Sequence, residues 1–190
     1  MIKKIEINPD WFYHRIWLDN LPGILDKKAI LSKRKQNRQV PFQEQWNGND
    51  YISLAKRDLN IIIYNSSYKK IIAGSYALIL KDIEVVPTIY KKDNYEYWRF
   101  LSTIFKNKRY SAYLDEYQAK DAIGLDKVVG IKVPEIHTGY IPGTFYEGKD
   151  CAIDEIINRI DGKIPEVPFI DIERKLQIDK KEIKKYLIER

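Results

Sequence analysis

Cysteine and histidine are nearly missing from these 190 residues. One cysteine, Cys151, excludes an internal disulfide and leaves no thiolate cluster for a metal. The two histidines, His14 and His137, stand far apart in the chain, so no structural zinc and no other metal is expected. Long hydrophobic runs are missing too. No apolar stretch approaches the roughly 20 residues that cross a bilayer. The opening Met1-Ile2-Lys3-Lys4-Ile5-Glu6 carries charge without the apolar segment of a secretory signal behind it. A soluble, cytoplasmic protein with no membrane partner is the expectation. Common catalytic signatures are also lacking: no Gly-rich phosphate loop, no His-Glu-x-x-His and no Gly-x-Ser-x-Gly. A dyad of Cys151 and His137 would have no supporting motif. Repeats and low-complexity tracts are absent, and the length suits one domain over residues 1–190.

Positive charge and aromatic rings are plentiful. Lys and Arg exceed Asp and Glu by 33 to 27, for a net charge of +6 and a pI near 9.1. Such a surface favours phosphate-bearing partners, which release counterions when lysine and arginine replace them. Fourteen tyrosines and four tryptophans add rings on which bases can stack. The same composition also arises from an AT-rich genome, so it does not decide the function.

The pattern along the chain predicts an α+β domain. Trp11 to Trp17 reads as an aromatic-rich strand. A helix is expected next, with Asp19 as its cap, Pro22 in its first turn, and Leu21, Ile24 and Leu25 on one face. Ser32 to Gln39 is basic and polar without apolar period, as in a loop or an exposed turn. Strands are expected at Tyr51–Ala55 and at 75–80, at Glu116–Ala119 and at Val128–Ile131, the last two joined by a turn. Ile61–Tyr64 is too short to type. Trp98, Leu101, Ile104 and Phe105 recur at helical spacing between Asn94 and Lys108. A C-terminal helical segment at about 150–190 holds one helix from Asp150 to Arg159 and another beginning at Asp179. There Asp179 and Glu182 have the spacing of a capping box.

Three separated pieces share an order that is similar to DarT-type ADP-ribosyltransferases. The first is Tyr13-His14-Arg15-Ile16-Trp17-Leu18-Asp19-Asn20-Leu21-Pro22-Gly23-Ile24-Leu25. The second is the basic run from Arg34 to Arg38, then Val40-Pro41, then Asp50-Tyr51. The third is Leu114-Asp115-Glu116-Tyr117-Gln118-Ala119, continuing through Ile123-Gly124 to Val129-Gly130-Ile131. The resemblance implies an ADP-ribosyltransferase fold with a central split antiparallel β-sheet flanked by helices. It implies NAD as donor substrate, single-stranded DNA as acceptor, a toxin role and a macrodomain partner that removes the mark. Glu116 would be the catalytic carboxylate. An arginine of the basic segment would contact the NAD phosphates and help at the reacting centre, with Arg38 favoured, Arg34 open and Lys35 a third choice. His14 would hold a ribose hydroxyl, and Tyr13, Asn20, Tyr51 and Ser53 would line the cofactor site. The family's histidine between the second strand and the glutamate has no counterpart here, where Asn94, Tyr95 and Tyr97 stand instead. RNA or protein as acceptor, and an inactive nucleic-acid-binding relative, therefore remain open.

The chemistry makes sense of these residue types. Cleaving the nicotinamide glycosidic bond leaves positive charge on the ribose, which fixed negative charge and hydrogen bonds stabilise. A strand-borne Glu116 could do this and also take a proton from an attacking base nitrogen. Asp115, one residue away, falls on the opposite strand face and would not pair with it. Each residue also has a plainer reading: Glu116 as an exposed strand residue, His14 as a satisfied core histidine, Tyr51 as core filling.

Overall fold

The structure, a computed structural model, describes residues 1–36, 50–56, 60–64, 70–87, 116–138 and 145–189. Among the described residues nine strands make the central sheet, in the order β1 (Ile2–Lys4), β15 (Leu176–Ile178), β14 (Phe169–Asp171), β11 (Val128–Lys132), β7 (Ala77–Leu80), β2 (Phe12–Arg15), β4 (Tyr51–Ala55), β9 (Glu116–Lys120) and β8 (Val86–Pro87). Every neighbouring pair runs antiparallel except β11 and β14, which are parallel. Three two-strand ribbons accompany it: β3 (Ala29–Leu31) with β10 (Ala122–Gly124), β5 (Asn60–Tyr64) with β6 (Lys70–Gly74), and β12 (Ile136–Thr138) with β13 (Phe145–Glu147). The described helices are α1 (Leu21–Lys27), α2 (Lys149–Arg159) and α3 (Lys180–Ile188). The fold is α+β, with a large, mainly antiparallel sheet flanked by helices.

Strand alternation sorts the core. Phe12, Ile52, Leu54, Leu78, Leu80, Ala119 and Ile131 face one side, where Leu21 of α1, Ile153, Ile156 and Ile157 of α2, and Ile183 of α3 cover them. In α2 the isoleucines recur at the i, i+3, i+4 spacing that keeps one stripe inward, as the sequence predicts. Ile156 is fully buried, which contributes about 1.5–3 kcal/mol. On the other side Tyr13, Ala77, Ile79 and Ile170 form a smaller cluster, against which Ile5 and Trp11 pack.

Several expectations change in detail. Asp19 does not cap α1. Leu18–Asn20 forms a 3-10 turn, Asn20 occupies the N-cap position without a side-chain cap bond, and Asp19 instead pairs with Arg159 of α2 at 2.7 Å. Asp19 lies inside that turn, one residue before the N-cap position, and its carboxylate takes the charged partner that α2 offers. The strand expected from Ser75 starts at Ala77, because Ser75 and Tyr76 carry the chain from the β5–β6 ribbon into the central sheet. Between Glu116–Lys120 and Val128–Lys132 the chain inserts β10 and a 3-10 turn rather than a simple turn. The C-terminal segment keeps both helices but holds β14 and β15 between them, and these strands belong to the central sheet. Asp179 caps α3 by accepting from the Lys181 and Glu182 amides, while the Glu182 carboxylate meets the Met1 ammonium at 3.0 Å. The helix expected at 94–108 lies outside the described residues, as does the basic run beyond Gln36.

Candidate functional site

The sheet is divided where β2 meets β4. Four residue pairs join β2 to β7 and five join β4 to β9, yet among the described residues β2 and β4 share the single pair Tyr13 and Ala55. Past that pair the ladder opens, and an imidazole takes over the backbone bonding. His14 Nδ1 lies 2.9 Å from the backbone oxygen of Ser53. A carbonyl oxygen can only accept, so Nδ1 carries the hydrogen and donates it. In the neutral ring the Nε2 lone pair is then free to accept a bond from a hydroxyl. Burial pushes the His14 pKa below the usual imidazole range, and the Ser53 carbonyl opposes that only in part. The ring is therefore neutral near pH 7, in one tautomer.

Around this join the sequence-predicted residues take different places. Tyr13 is buried within the smaller apolar cluster, on the opposite side of β2 from His14. Ser53 and Tyr51 are half-buried on β4, and Tyr51 pairs with Lys120 of β9. Glu116 is opposite Ala55, so the backbones of Tyr13, Ala55 and Glu116 form one row across three strands. Two strand spacings, about 10 Å, separate its ends. Asn20 is half-buried where the 3-10 turn meets α1, and the Asp19–Arg159 pair ties that turn to α2.

The basic segment is described as far as Gln36. Ser32 to Gln36 forms the expected turn, closed by the Gln36 amide bonding to the Ser32 and Lys33 carbonyls. Arg34 is exposed and pairs with Asp50 at 3.1 Å. Asp50 immediately precedes β4 at the end away from Ala55, roughly 16 Å along an extended strand. Arg34 is thus anchored at the far end of β4 from the row that contains Glu116. Lys35 is exposed, and Arg38 lies outside the described residues.

Two arrangements were not legible in the sequence. Arg15 places its guanidinium carbon 5.0 Å from the centroid of the Trp17 ring, and Trp17 is 66% exposed. Their signal is the aromatic richness of residues 11–17, which reads equally well as core. The other is a charge cluster around the buried pair of Lys149 and Asp171. Lys149, in the first turn of α2, reaches Asp171 at 2.5 Å, Glu135 at 3.2 Å and Glu173 at 3.6 Å. No spacing rule links residues so far apart in the chain. Among the described residues no group of His, Cys, Asp and Glu is arranged to hold a metal ion, and no helix is long and apolar enough to cross a membrane.

No protein-family model matches the chain, and no curated protein does. Two solved structures resemble it. One is Thermus sp. 2.9 DarT in complex with ADP-ribosylated ssDNA, 13% identical, with a TM-score of 0.45 over 87% of this chain and 96% of that one. The other is Thermus sp. 2.9 DarT in complex with NAD+, 11% identical, with a TM-score of 0.43 over 87% of this chain and 97% of that one. Likeness at this level carries no functional weight of its own.

Proposed function

We propose that this chain is a mono-ADP-ribosyltransferase that takes ADP-ribose from NAD and joins it to a nucleobase of single-stranded DNA. The observation that carries this reading is the His14 imidazole, held neutral by burial and fixed in tautomer by the Ser53 carbonyl, at the opening of a divided sheet. A locked acceptor nitrogen at such an opening suits a sugar hydroxyl, and a ribose gripped there is presented for attack at its anomeric carbon.

In this reaction the bond between the ribose carbon and the nicotinamide nitrogen breaks, and its electron pair leaves with nicotinamide. A base nitrogen supplies the pair for the new glycosidic bond. Glu116 stabilises the positive charge that develops on the sugar and takes the proton displaced from the base. Tyr51 and Asn20 line the donor site, with Tyr13 and Ser53 shaping the strands beneath it. Arg38 is the favoured phosphate contact, because the Arg34 guanidinium is already engaged by Asp50 at the far end of β4. A single-stranded acceptor avoids the cost of extracting a base from a duplex, on the order of a few kcal/mol. The protein would act in the cytoplasm as a toxin, its mark removed by a macrodomain partner.

Labelled NAD, offered with single-stranded DNA, duplex DNA, RNA and cell-lysate protein in turn, tests the reading. Label on single-stranded DNA that disappears in Glu116→Ala supports it. Label confined to RNA or protein moves the acceptor. Nucleic-acid binding with neither label nor nicotinamide release removes the enzymatic reading altogether.

A further inference from the structure

Trp17 is the most exposed tryptophan among the described residues, and it does not stand alone. β2 ends at Arg15, the chain continues extended through Trp17, and the Arg15 guanidinium lies over the indole at 5.0 Å from its centroid. The contact orients a large ring that burial does not hold, since two-thirds of Trp17 remains open at 66% exposure. Arg15 remains charged, as arginine does throughout the accessible pH range. An indole on the surface, backed by a fixed cation, combines the two parts of a single-strand contact: a π face for a base and positive charge for its phosphate.

We infer that Arg15 and Trp17 form a stacking platform for one nucleobase of a single-stranded nucleic acid, with Arg15 neutralising an adjoining phosphate. The strand's identity as DNA rests on the proposed function, but the platform itself does not require catalysis. Its openness separates it from a site for the adenine of NAD. Small-molecule sites enclose most of the ligand surface, whereas Trp17 offers ring area on an open surface. Stacking on an exposed ring suits a strand, whose bases each present a π face and tolerate sequence change. The net charge of +6 supplies the long-range attraction for such a polyanion. Trp17 also follows His14 by three residues, about 10 Å along extended chain. A base held there would neighbour the reacting base rather than be it.

The test measures binding of a fluorescent 20-mer of thymidine and of an abasic strand of equal length by the full chain. The abasic strand keeps every phosphate and lacks every base. The wild-type protein is expected to prefer the thymidine strand by about tenfold or more, the scale of one base–aromatic stack. Trp17→Ala should erase most of that preference and leave abasic binding and NAD titration unchanged, while Trp17→Phe keeps part of it. Arg15→Gln should reduce the salt dependence of binding by about one phosphate contact. Equal preference in wild type and Trp17→Ala overturns the platform, and so does a loss of NAD affinity with strand binding intact. The outcomes separate from those of the catalytic reading: a protein that transfers no ADP-ribose but loses base-dependent binding in Trp17→Ala keeps the platform and loses the enzyme.

Discussion

The imidazole of His14 replaces a rung of the sheet: its Nδ1 donates to the Ser53 carbonyl at 2.9 Å, just beyond the Tyr13–Ala55 pair that joins β2 to β4. The ring thus has a structural nitrogen and an available one, and substitution can separate them. Asparagine places an amide donor near the Nδ1 position, so His14→Asn should keep the Ser53 bond and stability close to wild type. Its loss of Nε2 should raise KM for NAD about tenfold or more, in line with a lost hydrogen bond of about 1.4 kcal/mol. His14→Ala removes both functions and should also cost about 0.5–1.5 kcal/mol of stability through loss of the bond to the Ser53 carbonyl. Urea midpoints and NAD kinetics on the three proteins decide it. An asparagine variant with unaltered KM would remove His14 from the donor site.

The same histidine predicts a pH dependence with a definite sign. Its folded-state pKa is lowered, chiefly by burial. The unfolded chain takes up a proton as pH falls through about 6.5, while the folded protein does not. Stability from the neutral, buried ring is therefore fully present above that value and is lost as pH falls from there towards the folded pKa. The carboxylates of Asp179, Glu182 and Glu166, all lowered by hydrogen bonds to ammonium groups, act in the same direction but at lower pH, below about 4.5. Urea midpoints measured from pH 7.5 to 5.5 should fall for wild type and stay flatter for His14→Asn. Matching slopes in the two proteins would assign the loss to other groups.

What the sequence shows is what local chemistry decides. The isoleucine stripe of α2 and the Asp179 cap of α3 are visible because each is settled within a turn or two. The strands at Tyr51–Ala55 and Glu116–Lys120 are visible because their alternation is plain. Asp19 misleads because its partner, Arg159, is remote in the chain and no local rule points to it. β14 is hidden for a related reason. Phe169, Ile170 and Asp171 are all buried, so the strand lacks the alternation that marks a half-buried one. At the candidate site His14 and Glu116 are singled out by the resemblance of their segments to a known family, because residue type alone leaves each a plainer reading. The division of the sheet that gives His14 its place depends on how far two ladders extend, which only the fold displays.

Gly130 is required by packing. It lies on β11 beside an irregularity in the pairing with β7, between Val128 and Gly130. A Cβ there would come within 2.6 Å of Ile170 Cδ1 and 2.8 Å of the Pro168 carbonyl oxygen. The side chain could shift, but the Pro168 carbonyl is tied by its bond from the Ile131 amide at 2.8 Å. Gly130→Ala should therefore destabilise the fold by about 1–3 kcal/mol, the usual range for overpacking, despite the higher strand propensity of alanine. Chemical denaturation gives the number. A neutral or stabilising result would mean that β11 and β14 separate more easily than their parallel pairing implies.

Lys149 and Asp171 supply the sharpest contrast between removing one member of a pair and removing both. Their side chains are 10% and 3% exposed and meet at 2.5 Å, with the Asp171 carboxylate also accepting from the Arg174 amide at 2.8 Å. Taking Lys149 away leaves a buried carboxylate with Glu135 nearby and only the Arg174 amide and its exposed guanidinium, 3.8 Å away, to balance it. Lys149→Met should cost about 3–5 kcal/mol. Asp171→Leu alone strands the ammonium, but Glu135 and Glu173 are placed to receive it, so its cost should be smaller. Replacing both removes the ions and their desolvation together, and the double variant should recover much of the loss from Lys149→Met. The coupling measured in that cycle is the test, because two independent packing defects would simply add. Additive losses would mean that α2 is held to β14 by apolar contact and that the charges only accompany it.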